Sequence, residues 1–291
     1  MKRYYLIINA HAGKDAWKKA IQQVLDSFTK YSVKFDHVFT EKPGHAIELA
    51  QKVSETKYDV VVAVGGDGTV NEVANGLLGR GIVMGVIPIG SGNGFARDSK
   101  ISINPKKAVK ELLKGKSKFI DVWQINNNIF LCTAGLGFDA NVARNMTLSV
   151  RRGRWEYVRL TLMESIFFKP LEVAFNVGGQ LKKESVFLIS FANAGQYGNN
   201  AYISPGAKTD DGLLDIVVIR PVAKMLYPIL GLALFLRIIH KFGFYKRYRA
   251  NSLEIYEASS NLCHIDGESV EIDFPVQIGL LKDQLKIQMT F

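Results

Sequence analysis

The sequence predicts an α/β protein of two domains, an N-terminal doubly wound parallel sheet followed by a β-rich, sandwich-like domain. Over the first 125 residues, short β-branched runs alternate with amphipathic segments, which is typical of parallel strands joined by helices. Beyond this point the β-like runs follow one another closely. A chain of 291 residues with 47% hydrophobic content can bury two cores. We therefore expect domains at 1–125 and 126–291, with the option that the last strands pack back on the first domain.

The N-terminal part contains four strand-like runs separated by helix-like segments. The runs are Tyr4–Asn9, Val33–Phe39, Asp59–Val64 and Val83–Ile89. The helix-like segments lie near 15–31, 43–55 and 69–78, and a further helix is expected at 105–114. A strand followed by a helix, several times over, favours a sheet whose strands run in the same direction.

The C-terminal part is predicted from β-like runs with two helical interruptions, near 139–168 and 222–242. The runs are Ile129–Ala134, Leu171–Val177, Ser185–Ala192, Leu214–Ile219, Ser252–Tyr256, Leu262–Ile265 and the last fifteen residues. Cys132 and Cys263 lie in apolar runs without the neighbouring Cys or His residues of a zinc site. Both are expected to be buried free thiols.

The charge balance favours anionic partners. Lys and Arg number 37 against 27 Asp and Glu, which gives a formal charge of +10. Lipid headgroups, nucleotides and nucleic acid are all compatible with this excess, and charge alone does not choose among them. No nucleic-acid-binding motif is recognisable, so nucleic acid is not an expected partner. Met1–Tyr5 lead directly into a strand-like run with no cleavage-site pattern, which indicates a cytoplasmic protein.

The first glycine loop, Gly65–Gly68, follows a buried-type strand and opens a helix. Three glycines in four positions let a ligand approach the backbone closely, and the helix N terminus directs N–H groups and its positive dipole end toward that ligand. A phosphate group fits this description. Thr69 and Glu72 have the spacing of a capping box. The alternative is a tight strand-to-helix turn in which these two residues serve only as a cap.

The second glycine loop, Gly90–Gly94, follows the next strand. Ser91 and Asn93 add hydrogen-bonding side chains to it, and Arg97 adds a nearby charge. In a parallel sheet both loops emerge at the carboxyl edge, where ligands collect. The two loops together could therefore wrap one polyphosphate, and an ordinary surface turn is the alternative for the second loop.

Four short motifs occur in order along nearly the whole chain. They are Gly65-Gly66-Asp67-Gly68-Thr69 with Asn71-Glu72, Gly90-Ser91-Gly92-Asn93, Asp210-Asp211-Gly212-Leu213-Leu214-Asp215 and Asp266-Gly267-Glu268. Together they resemble the diacylglycerol kinase catalytic family, which includes bacterial lipid kinases, sphingosine kinases and ceramide kinases. The resemblance implies that ATP lies over the first domain. The implied contacts are Asn9, Thr40, Gly66, Asp67, Gly68, Thr69, Glu72 and Ser91.

The segment after the first strand departs from the family pattern. The family has Asn-Pro-x-Ser-Gly at this place, whereas this chain has Asn9-Ala10-His11-Ala12-Gly13. A serine contact is therefore missing. Lys14, which follows directly, is a candidate phosphate partner on its position alone.

Two carboxylates are candidates for the chemistry of phosphoryl transfer, which depends on positioning, on metal ions and on a carboxylate near the attacking hydroxyl. Asp67 lies in the first glycine loop, where a carboxylate would repel phosphate unless a metal or a proton intervenes, so we expect it to help hold a catalytic Mg²⁺. The resemblance implies that Glu268 is the base that accepts the proton of the lipid hydroxyl. An ordinary hairpin turn at Asp266-Gly267 is the alternative.

The resemblance also implies a structural Mg²⁺ at Asp210–Asp215. In bacterial members of the family this segment binds the ion with one Asp side chain and flanking backbone carbonyls. The match suggests the side chain of Asp211 with the carbonyls of Lys208 and Leu213. A turn leading into the strand Leu214–Ile219 explains the same residues without a metal.

Two segments are candidates for contact with an anionic membrane surface. Met225–Leu236 is apolar, too short to span a bilayer, and followed by a basic and aromatic segment that extends to Arg249. A second basic cluster precedes Ile166–Lys169 and consists of Arg144, Arg151, Arg152, Arg154 and Arg159. The alternative is that both segments form core-facing helices with solvated charges.

Taken together, these features predict an ATP- and Mg²⁺-dependent kinase for a membrane-lipid hydroxyl, with a diacylglycerol-type acceptor favoured and a peripheral location at the inner membrane face. Sphingoid bases and ceramide stay open, because Gly90-Ser91-Gly92-Asn93 is similar to the sphingosine kinase form of this loop. A soluble-substrate kinase is the leading rival, since NAD kinases and phosphofructokinases have similar Gly-Gly-Asp-Gly loops. A non-catalytic sensor is disfavoured because Asp67 and Glu268 are both present. The sequence does not indicate an oligomeric state.

Overall fold

The computed structural model describes residues 2–9, 15–149 and 154–290. The chain divides into two compact units. Unit 1 consists of Met1–Ile120 together with Asp283–Phe291, and unit 2 is Asp121–Lys282. Unit 1 is therefore assembled from two separate stretches of the chain.

The first stretch of unit 1 alternates strands and helices. The strands are β1 (Arg3–Ile8), β2 (Lys34–Phe39), β3 (Val60–Gly65) and β4 (Val83–Pro88). The helices are α1 (Asp15–Lys30), α2 (His45–Lys52), α3 (Asp67–Leu77), α4 (Gly94–Asp98) and α5 (Pro105–Lys114). Strand β5 (Lys116–Ile125) then crosses from unit 1 into unit 2.

Unit 2 is mostly β-structure. Its strands are β6 (Asn128–Phe130), β7 (Thr133–Gly137), β8 (Leu171–Val177), β9 (Gln180–Val186), β10 (Leu188–Ala192), β11 (Gln196–Gly198), β12 (Ala201–Tyr202), β13 (Leu214–Ile219), β14 (Tyr245–Ala250), β15 (Ser252–Ala258), β16 (Leu262–Ile265) and β17 (Glu268–Glu271). Its helices are α6 (Phe138–Leu148), α7 (Arg154–Phe167) and α8 (Tyr227–Phe235), with 3-10 turns at Lys224–Leu226 and Ile239–Lys241. The last strand, β18 (Val276–Met289), begins in unit 2 and ends in unit 1.

The sheet of unit 1 is parallel. Its strands follow the order β2-β1-β3-β4, and the second half of β18 runs parallel to β4, with Ile287 opposite Met84. Every residue of β3 is buried, as expected for a central parallel strand covered on both faces. Helices α1 and α5 share an apolar cluster with β1 and β3, while α2 and α3 pack against each other. The predicted N-terminal α/β fold is confirmed.

Unit 2 is an antiparallel β-sandwich, as predicted. One sheet has the order β14-β13-β10-β7-β16-β17. In the other, the first half of β18 pairs with β15, which pairs with β8, which pairs with β9. The core cluster draws on both sheets and includes Trp123, Phe130, Phe175, Phe191 and Ile255. Both cysteines are buried and free, which confirms that expectation.

Two differences from the predicted elements have local physical causes. Strand β9 was not predicted because Gln180–Val186 is polar and largely exposed, as befits a strand at the edge of its sheet. The expected run Ile129–Ala134 is divided into β6 and β7. The residues at this break turn their backbone N–H groups to the side chain of Asp266 instead of to a neighbouring strand.

The segment expected to lie on a membrane contains a helix and a strand. Its apolar part forms α8, and within the described residues no helix is long and apolar enough to span a bilayer. Its last basic residues form β14 instead of continuing a surface helix. Lys246 pairs with Glu184, and Arg249 pairs with Asp215, each at 2.9 Å. These two cations therefore form ion pairs within unit 2.

Candidate active site

The carboxyl edge of the parallel sheet gathers most of the residues expected to contact ATP. Asn9 follows β1, Thr40 follows β2, Gly66 follows β3, and Gly90 lies two residues after β4. The backbone N–H of Asn9 donates to the carbonyl of Val64, and that of Thr40 donates to the carbonyl of Ile8. The residues that follow β1 and β2 therefore continue the hydrogen bonding of the sheet. The expectation that the two glycine loops share one edge is therefore confirmed.

The two glycine loops are in direct backbone contact at Gly66 and Gly90. A Cβ atom placed on Gly66 would lie 3.3 Å from the Cα of Gly90, and one placed on Gly90 would overlap the Cα of Gly66. A side chain at position 90 would push the loops apart. Glycine is required here because two backbones approach each other closely.

Asp67 joins the first loop to the second. One carboxylate oxygen accepts the backbone N–H of Gly94 at 2.9 Å, and the other accepts that of Phe95 at 3.1 Å. These N–H groups belong to the first turn of α4, where intrahelical acceptors are lacking. Asp67 therefore braces the second loop, a role that the sequence motif did not reveal.

Asn93 closes the second loop on itself. Its side-chain oxygen accepts the N–H of Gly90 at 2.9 Å, and its amide donates to the Gly90 carbonyl at 2.7 Å. Asn93 adopts φ 52°, in the left-handed region that Asn tolerates better than most residues. The Arg97 side chain adds a hydrogen bond to the carbonyl of Gly92 at 3.0 Å. The loop is thus held in one shape by its own side chains, and Ser91 is exposed at its tip.

The capping box expected for α3 is wrong. The helix begins at Asp67, Gly66 occupies the N-cap position, and among the described residues no side chain caps it. Thr69 is instead buried, and its hydroxyl accepts a hydrogen bond from the Asn9 side chain at 3.0 Å. A Cβ at position 65 would collide with the side chain of Thr69, so the glycine at Gly65 makes room for this contact.

Glu72 reaches a different helix from the one expected. Its two carboxylate oxygens accept the backbone N–H groups of Gly44 at 2.9 Å and of Ala46 at 3.1 Å. These groups lie at the start of α2, so Glu72 supplies the acceptor and the negative charge that a helix N terminus favours. Thr40, also expected near ATP, is buried at the end of β2, and Gly68 lies in the first turn of α3. Lys14 lies outside the described residues.

In unit 2, the Asp-Gly hairpin is confirmed, and it carries Glu268. Asp266 and Gly267 have φ of 47° and 89°, as a type I′ turn requires. The carboxylate of Asp266 accepts three backbone N–H groups, from Leu131, Cys132 and Thr133, at 2.8–3.0 Å. Glu268 is exposed at the start of β17. Asp266 thus fixes the turn that presents Glu268 to solvent.

The segment expected to hold a structural Mg²⁺ is organised around a residue that the motif did not include. Asp121 accepts the N–H of Gly212 at 2.7 Å. Burial, and then the nearby charges of Asp211 and Asp210, raise the pKa of Asp121. Asp211 accepts the backbone N–H of Leu213 at 3.2 Å and forms an ion pair with Arg249 at 2.5 Å. The side chain of Lys208 is exposed.

These carboxylates fit a hydrated cation better than a fully ligated one. Within the described residues, no group of three or more His, Cys, Asp or Glu side chains is arranged to hold a metal ion. Mg²⁺, however, usually keeps several waters and needs only one or two carboxylates. Asp210 and Asp211 place further negative charge near the buried Asp121, and a bound cation would reduce the repulsion among these carboxylates.

A second polar cluster in unit 2 was not predicted. Asp139, at the start of α6, accepts a hydrogen bond from Tyr197 at 2.9 Å and lies 3.1 Å from the imidazole of His264. A Cβ at Gly135 would approach Asp139 and His264 to 3.0 and 3.1 Å, so the glycine leaves space for the pair. Gly135–Asp139 has a partial dinucleotide-binding pattern in the sequence, and its observed role is to build this buried cluster.

Comparisons with known proteins agree with this arrangement. The model of the diacylglycerol kinase catalytic domain matches residues 3–125. The model of the YegS C-terminal NAD kinase beta sandwich-like domain matches residues 132–288, which is more than half of the chain. The boundary between the matches lies near the passage of β5 from unit 1 to unit 2.

Individual relatives support the same assignment. A diacylglycerol kinase of Bacillus subtilis (strain 168) is 29% identical over 225 residues, which cover 76% of this chain and 74% of the relative. One from Staphylococcus aureus (strain Newman) is 27% identical over 223 residues, 75% and 71% of the two chains. A solved diacylglycerol kinase structure from Bacillus anthracis str. Sterne shares the fold, with a TM-score of 0.76 at 22% identity over 99% of this chain and 97% of that one. The chain therefore belongs to the diacylglycerol kinase catalytic family of lipid kinases, which are phosphotransferases, and its second half is the YegS-type C-terminal domain.

Proposed function

We propose that this protein transfers the γ-phosphate of ATP, in the presence of Mg²⁺, to a hydroxyl group of a diacylglycerol-type membrane lipid. The observation that carries the proposal is the contact between Gly66 and Gly90, braced by Asp67. The two loops touch through their backbones at the carboxyl edge of a parallel sheet, and this surface includes the N terminus of α3, where no described side chain caps the first N–H groups. Such surfaces suit phosphate chains.

The N terminus of α3 supplies the most direct phosphate ligands. The first N–H groups of an α-helix have no intrahelical acceptor, and no described side chain caps this helix. Gly66, Gly68 and Thr69 would present these groups to the phosphates, with the helix dipole adding a favourable field. Ser91, exposed at the tip of the second loop, offers a hydroxyl to the same chain of phosphates.

Asn9, Thr40 and Glu72 are the remaining residues proposed to contact ATP in unit 1. The side chain of Asn9 fixes Thr69, and the carboxylate of Glu72 fixes the start of α2. These three residues remain proposed ATP contacts. The bond from Asn9 also positions Thr69 before ATP arrives, which lowers the entropic cost of binding.

Mg²⁺ would neutralise charge on the phosphates. The residue proposed to bind it is Asp67, whose two oxygens each already accept one backbone N–H. A carboxylate oxygen has more than one acceptor site, so the bracing contacts leave capacity for a metal or a metal-bound water. A structural Mg²⁺ is proposed separately at Asp211, with the carbonyls of Lys208 and Leu213 and with Asp121 as an added carboxylate.

Glu268 is the proposed base. As the acceptor oxygen forms its bond to the γ-phosphorus and the bond to ADP breaks, Glu268 takes the proton of the attacking hydroxyl. The exposed position of Glu268 at the start of β17 allows a substrate to reach it. Because the acceptor is a membrane lipid, the proposal includes peripheral contact with the anionic inner face of a membrane.

The test is a turnover assay with labelled ATP and Mg²⁺ on a panel of diacylglycerol, phosphatidylglycerol, a sphingoid base and ceramide in mixed micelles, with NAD as the soluble comparison. We expect phosphorylation of diacylglycerol and none of NAD. Glu268→Gln should lose at least about a hundredfold in turnover and still bind ATP. Glu271→Gln, at the other end of β17 and also exposed, is the matched control and should keep its rate. Phosphorylation of NAD alone would refute the lipid substrate, and a normal rate for Glu268→Gln would remove this residue from the mechanism.

A further inference from the structure

Helix α8 has two apolar faces, and only one of them is covered. Leu230 and Ala233 are buried in an apolar cluster of unit 2 that includes Phe168 and Phe187. The other face is exposed. It carries Ile229 (48% exposed), Leu232 (57%) and Phe235 (55%). Together with Met225 (82%) in the preceding 3-10 turn and Leu236 (56%) directly after the helix, these residues form what we call the α8 surface.

The spacing of the exposed residues shows that they form one continuous stripe. Ile229, Leu232 and Leu236 follow at intervals of three and four residues, which is the repeat of a single helix face, and Met225 lies in the 3-10 turn that leads into it. A helix that needed only to cover the core would carry polar residues at these positions. Contiguous exposed apolar residues of this kind mark an interaction site.

The end of α7 extends the α8 surface. Phe168 and Tyr227, at the start of α8, both pack against the ring of Phe187, with ring centres 5.2 Å and 4.9 Å from it. Phe167, the residue before Phe168, is 79% exposed. Phe167 therefore adds a sixth large, exposed apolar side chain next to a residue that packs in the same cluster as α8.

The charges around the α8 surface identify its partner. From residue 216 to residue 253 the sequence contains no Asp or Glu. Lys224 begins the 3-10 turn that precedes the helix, and Arg237 and Lys241 follow the helix, all three exposed. The guanidinium carbon of Arg237 lies over the ring of Tyr202, 3.9 Å from its centre. An apolar stripe with cations at both ends complements a layer of acyl chains beneath anionic headgroups.

We propose that α8 lies in the headgroup region of an anionic bilayer, with Ile229, Leu232 and Phe235 inserted among the acyl chains and Lys224 and Lys241 on the lipid phosphates. This proposal rests on the proposed lipid kinase function and adds to it the surface that contacts the membrane. At nine residues, α8 lies along the interface and does not cross it.

The first experiment measures binding to vesicles without ATP, so that its result does not depend on catalysis. The protein is sedimented with phosphatidylcholine vesicles that contain phosphatidylglycerol. We expect Ile229→Ser with Leu232→Ser to weaken binding at least about tenfold, because two inserted side chains are lost. The matched control is Ile103→Ser with Leu181→Ser, whose side chains are 50% and 59% exposed against 48% and 57% for the test pair. The control pair should bind as the unmodified protein does.

The second experiment tests the cations. Lys224→Gln with Lys241→Gln should reduce the preference for vesicles with phosphatidylglycerol over pure phosphatidylcholine, and high salt should reduce it in the unmodified protein. Lys52→Gln with Lys114→Gln, two exposed lysines of unit 1, removes the same charge and is the control.

The outcomes separate this proposal from the proposed function. The proposal is overturned if the two Ile/Leu pairs weaken vesicle binding equally, or if the unmodified protein ignores anionic vesicles at low salt. It is also overturned if the protein self-associates in solution and the Ile229 and Leu232 substitutions abolish that association instead, since the surface would then meet a second copy. Phosphorylation of a short-chain diacylglycerol in solution is measured in parallel. If that activity persists while vesicle binding is absent, the proposed function stands and the surface assignment falls.

Discussion

The carboxylate of Asp67 accepts the backbone N–H of Gly94 at 2.9 Å, so a side chain of the first glycine loop holds the second loop in place. The bond joins residues 27 positions apart and, with its companion to Phe95, makes the two loops one unit. Asp67 thus has an observed bracing role as well as its proposed metal role, and the two roles differ in what a substitution should change.

We expect Asp67→Asn to abolish turnover without unfolding the protein. The amide keeps one acceptor oxygen but places an NH₂ group against a backbone N–H, which should weaken ATP binding about tenfold even without Mg²⁺. Calorimetric titration of ATP with and without Mg²⁺ measures this, and Asp26→Asn, an exposed carboxylate of the same unit, is the control. Unchanged Mg²⁺-free affinity would leave Asp67 with the metal role alone, and retained turnover would exclude that role.

Gly90→Ala should separate the glycine loops. The new Cβ would overlap the Cα of Gly66 and stand 2.8 Å from the side-chain oxygen of Asn93. We expect a higher KM for ATP and a loss of about 1–3 kcal/mol in the free energy of unfolding. At Gly81 the nearest atom to an added Cβ is 3.4 Å away, so Gly81→Ala should change neither quantity. Equal behaviour of the two variants would show that the loop contact has no bearing on ATP binding.

Asp266→Ala should destabilise unit 2, because three backbone N–H groups lose their common acceptor. The expected loss is about 2–4 kcal/mol in the free energy of unfolding by urea. Asp273→Ala, an exposed carboxylate after β17, should stay within about 0.5 kcal/mol of the unmodified protein. A loss at Asp266 no larger than that at Asp273 would mean that solvent replaces the missing acceptor.

Asp121 should link stability to Mg²⁺ and to pH. Its pKa is raised by burial and by Asp211 and Asp210, so folding favours its protonated form, and ionised Asp121 opposes folding at neutral pH. Without Mg²⁺, we expect Asp121→Asn to have a higher Tm than the unmodified protein at pH 7, with the gap closing as acid protonates the carboxyl in both states. Added Mg²⁺ should raise the Tm of the unmodified protein more than that of the variant. If Mg²⁺ raised the Tm of both proteins by the same amount, a cation bound at Asp121 would be excluded.

The stability contributed by Glu184 should depend on pH in the opposite direction from that of Asp121, because its pKa is lowered and not raised. Burial raises the pKa of Glu184, but hydrogen bonds from Lys246 and Arg220 outweigh it and lower the pKa overall. A lowered pKa stabilises the fold above the unfolded-state pKa of about 4.3, and this contribution is lost as the pH falls through the folded value. Glu184→Gln should therefore be less stable at neutral pH and approach the unmodified protein in acid, as followed by Tm against pH.

Glu257→Gln is the comparison for Glu184. Glu257 also pairs with a lysine, at 3.6 Å, but both side chains of that pair are at least 70% exposed. An exposed pair contributes little to stability, so this variant should track the unmodified protein across the pH range. Matching curves for the Glu184 and Glu257 variants would show that burial adds nothing to the pair at Glu184.

Local patterns predicted the scaffold of the site well. The glycines of both loops and the alternation of strands and helices are short-range features, and the structure places them at one edge of a parallel sheet. The Asp-Gly turn before Glu268 has the expected hairpin geometry because its two residues tolerate positive φ. Each of these features depends on residues that are neighbours in the sequence.

The side-chain partners could not be predicted in the same way, because they join distant residues. The spacing of Thr69 and Glu72 satisfies a capping box, yet Thr69 hydrogen-bonds to Asn9 and Glu72 accepts an N–H group at the start of α2. Asp121 meets Gly212 across 91 positions, and Asp139 meets His264 across 125. Sequence patterns within one helix give no sign of such contacts, which exist only once the sheets have formed.

The path of β18 makes the parallel sheet of unit 1 depend on residues that are distant from β4 in the sequence. Residues 283–289 place Ile287 beside Met84, so the ribosome delivers this strand long after β4 has emerged. A nascent chain or a proteolytic fragment that lacks this stretch would expose the backbone of β4 as an open edge, which is a template for aggregation. We therefore expect poor solubility of a variant that lacks residues 283–289, because its β4 would have no neighbouring strand on that side.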